Sequence, residues 1–174
     1  REILAMQDIS AILVTHDRDE AFRIAREIAT VDRGQLTPPT NKHELFRNPG
    51  TCAATTLTGC KNISAAHRVD ETHVAATDWG ITLRVADAAT DVQHIAVRAH
   101  YLVLASENDA NALPARIAEI IESTFSYIVM LRFAEGAVPI RWEIDKTTWH
   151  AHEAGIGDTL HFKFPVEELM LLRD

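Results

Sequence analysis

Val14-Thr15-His16-Asp17-Arg18-Asp19-Glu20-Ala21 concentrates an imidazole, a hydroxyl and three carboxylates within a few residues of one another. An imidazole titrates near neutral pH and donates hydrogen bonds, so His16 suits contact with a charged oxygen such as that of a phosphate. The same cluster also reads as a metal site, because imidazole and carboxylates are metal ligands. Asp17 followed three residues later by Glu20, however, is the spacing of a helix-capping box. We therefore assign the carboxylates to a helix start and expect no metal here. His150-Ala151-His152 is a second pair of imidazoles. We read it as a solvated pair beside a turn rather than a zinc site. Cys52 and Cys60 are flanked by Ala, Thr, Gly and Lys and form no C-x-x-C pair, so we expect reduced thiols.

The elements that must present His16 follow from its neighbours. Ile12-Leu13-Val14 is a continuous apolar run, which predicts a buried parallel strand over residues 11–15. Ala21, Ile24, Ala25 and Ile28 then recur at helical spacing, which predicts a helix over 19–27. His16 would stand at the carboxyl end of a strand, where open α/β sheets place ligands. Arg33-Gly34 predicts a hairpin turn between 28–32 and 35–36, and Pro38-Pro39 blocks further pairing. Short helices are expected over 42–46, closed by Asn48-Pro49-Gly50, and over 51–57.

After Gly59 the pattern changes. β-type segments alternate with turn residues around Ile63 and at 73–75, 81–85, 94–98, 127–133, 138–142 and 159–164, which predicts a small barrel or sandwich. Ile117, Ile120 and Ile121 fit a helical face in a strand-like context. Residues 106–113 read as a polar loop, and Leu169-Met170-Leu171-Leu172 as a last core strand or an interface. No internal repeat stands out. The expected organisation is a first segment over 1–50, a linker over 51–58 and a mostly β domain over 59–174.

Apolar residues make up 47% and charged residues 24% of the 174, an ordinary globular balance. No apolar run has the length of a membrane span. Neither a signal peptide nor an initiator Met opens the sequence, and we expect it to be part of a longer chain. Residues 1–58 hold seven basic and eight acidic side chains, against ten and seventeen in the remainder, so the −8 net charge resides almost wholly in the second part. That balance excludes nonspecific nucleic-acid binding, which needs a basic surface.

The segment Val14 to Phe22 resembles the switch-histidine segment of ABC transporter ATP-binding subunits. The resemblance continues through Val31-Asp32-Arg33-Gly34-Gln35-Leu36 and Glu44-Leu45-Phe46-Arg47-Asn48-Pro49. Thr58-Gly59-Cys60-Lys61-Asn62-Ile63-Ser64 resembles the start of the carboxyl-terminal regulatory domain in the molybdate- and sulfate-type importers. Ile95-Ala96-Val97-Arg98-Ala99-His100 and Gly157-Asp158-Thr159-Leu160-His161-Phe162 resemble segments further along it. The resemblance implies a mostly β fold: an OB-like (TOBE-type) barrel domain preceded by a short α/β remnant of the nucleotide-binding domain.

It also implies that His16 is the catalytic and nucleotide-contacting residue, hydrogen-bonding the γ-phosphate of ATP. In the intact protein the cofactors would be ATP and Mg²⁺. The partners would be a second copy, in a homodimer, and a membrane permease, with the assembly peripheral to the inner face of the cell membrane. An oxyanion such as molybdate or sulfate would be the cargo or a regulatory ligand. Hydroxyl, amide and ammonium donors of the kind that hold oxyanions occur at Thr58, Lys61, Asn62 and Ser64. The rest of an ATPase is not in this sequence. There is no G-x-x-x-x-G-K-[ST] loop, no signature motif and no strand ending in paired acids. These 174 residues are thus expected not to hydrolyse ATP and to need no cofactor of their own. The alternative is a stand-alone oxyanion-binding or sensing module.

Overall fold

Asp17 starts the first helix of the described residues, and the side chain that does so is identifiable in the sequence. The computed structural model describes residues 10–150, 152 and 154–174, and the chain divides into two compact units between Gly59 and Cys60.

In the first unit, Asp17 is the N-cap of α1 (Arg18–Ile24), accepting from the Asp19 and Glu20 N–H groups. The helix ends earlier than its apolar spacing predicts. Ala25 is extended, and β1 (Glu27–Ile28) pairs with β4 (Thr40–Asn41). β2 (Val31–Asp32) and β3 (Gln35–Leu36) form the expected hairpin. Arg33 and Gly34 both have positive φ, +46° and +79°, the geometry of a two-residue turn matched to strand twist. Asn41 caps α2 (Lys42–Arg47), and Thr51 caps α3 (Cys52–Leu57). Phe22 of α1 packs edge-on against Phe46 and His43 of α2, with ring centroids 4.8 and 5.2 Å away. Lys42 Nζ donates to the Phe22 carbonyl at 2.6 Å.

The strand expected over 11–15 does not form. These residues have no regular structure, and Ile12 and Val14 are 96% and 92% exposed. A parallel strand that is apolar on both faces draws its hydrogen bonds and its cover from neighbours. Among the described residues no strand pairs with this one.

The second unit is a mostly β, OB-like body of ten strands. β5 (Asn62–Arg68), β6 (His73–Ala76), β7 (Ile81–Arg84) and β8 (His94–Val97) are followed by a 3₁₀ turn (Ala99–Tyr101) and β9 (Val103–Leu104). β10 (Ala112–Glu122), β11 (Ser126–Arg132), β12 (Ile140–Asp145), the short helix α4 (Lys146–His150) and β13 (Thr159–Lys163) come next. They too are followed by a 3₁₀ turn (Val166–Glu168) and a last strand, β14 (Met170–Leu172).

The two halves have the same strand order, each with a 3₁₀ turn before its last strand, a duplication with little trace in residue identity. The sheets run β14-β8-β5-β6-β7 and β9-β13-β10-β11-β12, so each half's last strand completes the other half's sheet. The registers match as well. Ala96 and Ile95 face Met170 and Leu171, while Lys163 and Phe162 face Val103 and Leu104. Leu102/Leu169, Leu104/Leu171, His94/His161, Arg84/Arg141, Ala66/Ala115 and Asn62/Asn111 keep the same side chain at positions this register makes equivalent.

One core serves both halves. Val74, Leu83, Ile95 and Val97 from the first join Val129, Leu131, Ile140, Phe162 and Phe164 from the second. Trp79 stacks on Phe164 at 6.4 Å, and buried Trp142 satisfies its indole N–H on the Leu102 carbonyl at 2.9 Å. The ambiguous isoleucines lie on β10. A bulge between Ile117 and Glu119 inserts an extra residue, so Ile117 and Ile120 both turn to the core. That bulge gives a strand the three-residue spacing of a helix. Leu169–Leu172 resolves as a core strand: Met170 and Leu172 are buried in β14. His150 lies in a helix, not a strand, against Tyr127 at 5.9 Å. Ala151, between the two histidines, lies outside the described residues.

Candidate functional site

Two places carry the candidate side chains, one in each unit. In the first, Thr15 organises the loop before α1. Its hydroxyl donates to Glu20 Oε2 at 2.8 Å and accepts from the Asp17 N–H at 3.1 Å. Asp17 Oδ1 in turn accepts from Asp19 N at 2.9 Å and Glu20 N at 3.0 Å. The Thr–His–Asp–Arg–Asp–Glu order is thereby explained: hydroxyl, N-cap and first-turn acid close a loop around His16. The box differs from its usual reciprocal form, because Glu20 reaches Thr15 rather than the cap residue's N–H. His16 itself is exposed at the bend, and its ring makes no hydrogen bond to a described residue, which leaves its N–H edges open to a ligand. The N–H groups of Glu20 and Asp19 hold the Asp17 carboxyl below its ordinary pKa. Asp17 is therefore committed as a charged cap across the neutral range.

Of the residues proposed as oxyanion donors, Thr58 lies in the first unit. It is buried at the end of α3, with its hydroxyl donating to the Thr55 carbonyl at 3.0 Å. The other three open the second unit. Lys61 is exposed. Asn62 is buried, and its amide forms a two-bonded bracket on β12: Nδ2 donates to the Arg141 carbonyl at 2.7 Å, and Oδ1 accepts from the Arg141 N–H at 2.8 Å. Ser64, also buried, donates to the Ala65 carbonyl at 2.8 Å and accepts from the Asp78 N–H at 3.0 Å. Asn62 and Ser64 thus stand on one face of β5, but their polar atoms close the fold as buried amides and hydroxyls must. Only the Lys61 ammonium is directed at solvent.

Sequence reasoning missed the twin of Asn62. Asn111, within the segment read as a polar loop, has φ +60° and brackets Arg84 in the same way, with both bonds at 2.7 Å. Each half therefore opens on an asparagine that clasps the third strand of the other half. A signal existed in the sequence: an Asn is a favoured non-glycine residue for a left-handed position at a strand entry. Neither Cys52 nor Cys60 is in a disulfide. Burial pushes the Cys60 thiol up, and it donates to the Val97 and Asn62 carbonyls at 3.3 and 3.4 Å.

No family model matches the chain. Curated relatives do. The chain is 27% identical to the sulfate/thiosulfate import ATP-binding protein CysA of Burkholderia mallei, over 87% of this chain and 43% of that protein. It is 25% identical to the putrescine transport ATP-binding protein PotG of Escherichia coli, over 98% of this chain and 48% of that protein. The thiamine import ATP-binding protein ThiQ of a Ruegeria species is 39% identical over 49 residues, 28% of this chain and 21% of that protein. The chain thus spans less than half the length of these relatives. Among solved structures, the cytoplasmic molybdate-binding protein ModG superposes with a TM-score of 0.51 at 14% identity, over 67% of this chain and 98% of ModG. The chain is similar to the ATP-binding subunits of ABC importers, and over two thirds of its length it shares the fold of ModG.

Proposed function

We propose that the chain is the carboxyl-terminal, regulatory part of an ABC importer ATPase that couples ATP hydrolysis to uptake of an oxyanion of the sulfate or molybdate type. One observation carries this reading. A histidine presented on a closed Thr–Asp–Glu loop precedes a duplicated OB-like unit, in a chain that aligns with a sulfate importer's ATP-binding protein over 87% of its length. In the intact protein the exposed His16 ring would donate to a γ-phosphate oxygen. Charge that develops on the transferring phosphoryl group is stabilised by donors placed in advance. The Thr15 and Asp17 hydrogen bonds hold the loop without occupying the ring. ATP and Mg²⁺ would be bound mainly by parts of the protein outside these residues. The second unit, with the TOBE-type architecture, would join a second copy and adjust how the ATPase halves close beside a membrane permease. No helix among the described residues is long and apolar enough to cross a membrane.

The test is His16→Ala in the full-length subunit assembled with its permease. ATP turnover should fall by about 100-fold or more, the scale of losing a preorganised donor to phosphate. Unchanged turnover would remove His16 from the reaction.

A second reading is favoured by the match to nearly all of ModG: the second unit senses an oxyanion. Lys61 is the donor left free to serve it. Calorimetric titration of the 174 residues with molybdate, tungstate and sulfate decides between the readings. Binding that weakens in Lys61→Ala supports sensing, and no heat at millimolar concentration leaves dimerisation and regulation.

A further inference from the structure

β11, β10 and β13 set Arg132, Arg116 and Thr159 in one row across the second unit. Arg116 faces Arg132 on one side and Thr159 on the other. Their chain neighbours Ala115, Ile117 and Leu131 are buried, so the alternation of a strand turns this row outward, and all three residues are exposed. Like charges directly opposite on an antiparallel pair are destabilising. Here two arginines stand opposite each other in register, in a part of the chain that carries an excess of acids. Neither has an ion pair or hydrogen bond with a described residue.

The duplication supplies an internal control. At the equivalent cross-strand pair of the first half stand His67 and Ala75. The skeleton is built equally well without two arginines, so packing does not explain them. The surroundings favour an anion. His161 and Lys163 continue the same face along β13. Gly157 presents only backbone beside Arg116, whose Nη2 would lie 3.8 Å from a Cβ placed there. The nearest carboxylates along the chain are those of Glu119, opposite Met130 on β10, and Asp158, whose Oδ2 is engaged by the Gly155 N–H at 2.8 Å.

We propose that Arg116, Arg132 and Thr159 form a binding site for a tetrahedral dianion of the phosphate class. The two guanidinium forks supply paired N–H donors, and the Thr159 hydroxyl a third direction. The site is separate from Lys61 and does not depend on the transporter reading. The opposed positive charges are the part of the design that the anion relieves.

Thermal unfolding of the 174-residue chain in low-salt buffer tests this, with inorganic phosphate or glycerol phosphate compared against chloride at equal ionic strength. Without phosphate, Arg132→Gln should melt above the parent, because it removes the repulsion. Phosphate should raise the parent's melting temperature and erase that difference. Binding measured by calorimetry should weaken about 10-fold or more in Arg116→Gln and Arg132→Gln, and be partly restored in Arg132→Lys. A response to inorganic phosphate assigns a free ion, and a response to glycerol phosphate alone assigns a phosphate carried on a larger ligand. Equal shifts in parent and variants, or no shift in the parent with either compound, would overturn the proposal.

Discussion

The two halves of the second unit share strand order, strand exchange and the asparagine clasp, yet differ in what they show to solvent. The first half presents His67 and Ala75 where the second presents Arg116 and Arg132. The second half also carries a longer hairpin, with β10 running to Glu122 and Phe125 84% exposed at its tip, and a helix, α4, absent from the first. Positions common to both halves are closing hydrogen bonds and core. Positions that differ are free of that duty, and function is sought there. This contrast turns an exposed arginine pair from an ordinary surface feature into a candidate site.

The strand exchange makes each half depend on the other, and its removal should have the largest effect. Leu172 is fully buried in β14, which completes the first half's sheet on β8. Leu172→Ala should cost roughly 3–4 kcal/mol, the cost of a buried leucine cavity. Hydrogen exchange should then quicken at Ile95 and Ala96 before it does in β11 and β12. Protection lost uniformly across both sheets would show that the halves melt as one body.

The clasps come next. Asn62→Ala leaves a half-buried N–H and carbonyl of Arg141 without partners, at a cost of about 3 kcal/mol. Asn111→Ala leaves the same groups of the exposed Arg84 to water but also puts an alanine at φ +60°, and should cost about 2 kcal/mol, most of it backbone strain. Urea unfolding of both variants measures the difference. Equal costs would mean that the two clasps are energetically symmetric.

The smallest effect is acid sensitivity. In the first half the Thr72 N–H, and after it His73, hold the Asp70 carboxyl below its ordinary pKa. In the second, Lys146 does so for Glu122 and the Thr148 hydroxyl for Asp145. A carboxyl depressed in the folded state stabilises above its unfolded pKa, and that contribution disappears as pH falls through the folded value. Melting temperature should therefore be flat from pH 7 to about 5 in these terms and decline below about 4. Asp70→Asn and Asp145→Asn should each flatten the decline, which a pH series of melts would reveal.

Local chemistry was legible in the residues alone. Asp17 as a helix cap, Arg33-Gly34 as a hairpin turn and the change to short strands after Gly59 follow from interactions that reach only a few positions along the chain. The OB-like class followed from the order of those segments together with the family resemblance. The strand expected at 11–15 failed because a buried strand is made by its neighbours. Ile117, Ile120 and Ile121 read ambiguously between helix and strand because a bulge changes the period. The duplication, the exchange of β9 and β14, and the meeting of Arg116 with Arg132 were decided by tertiary pairing. Register across strands depends on contacts between residues far apart in sequence, and no local spacing encodes which side chain will stand opposite which.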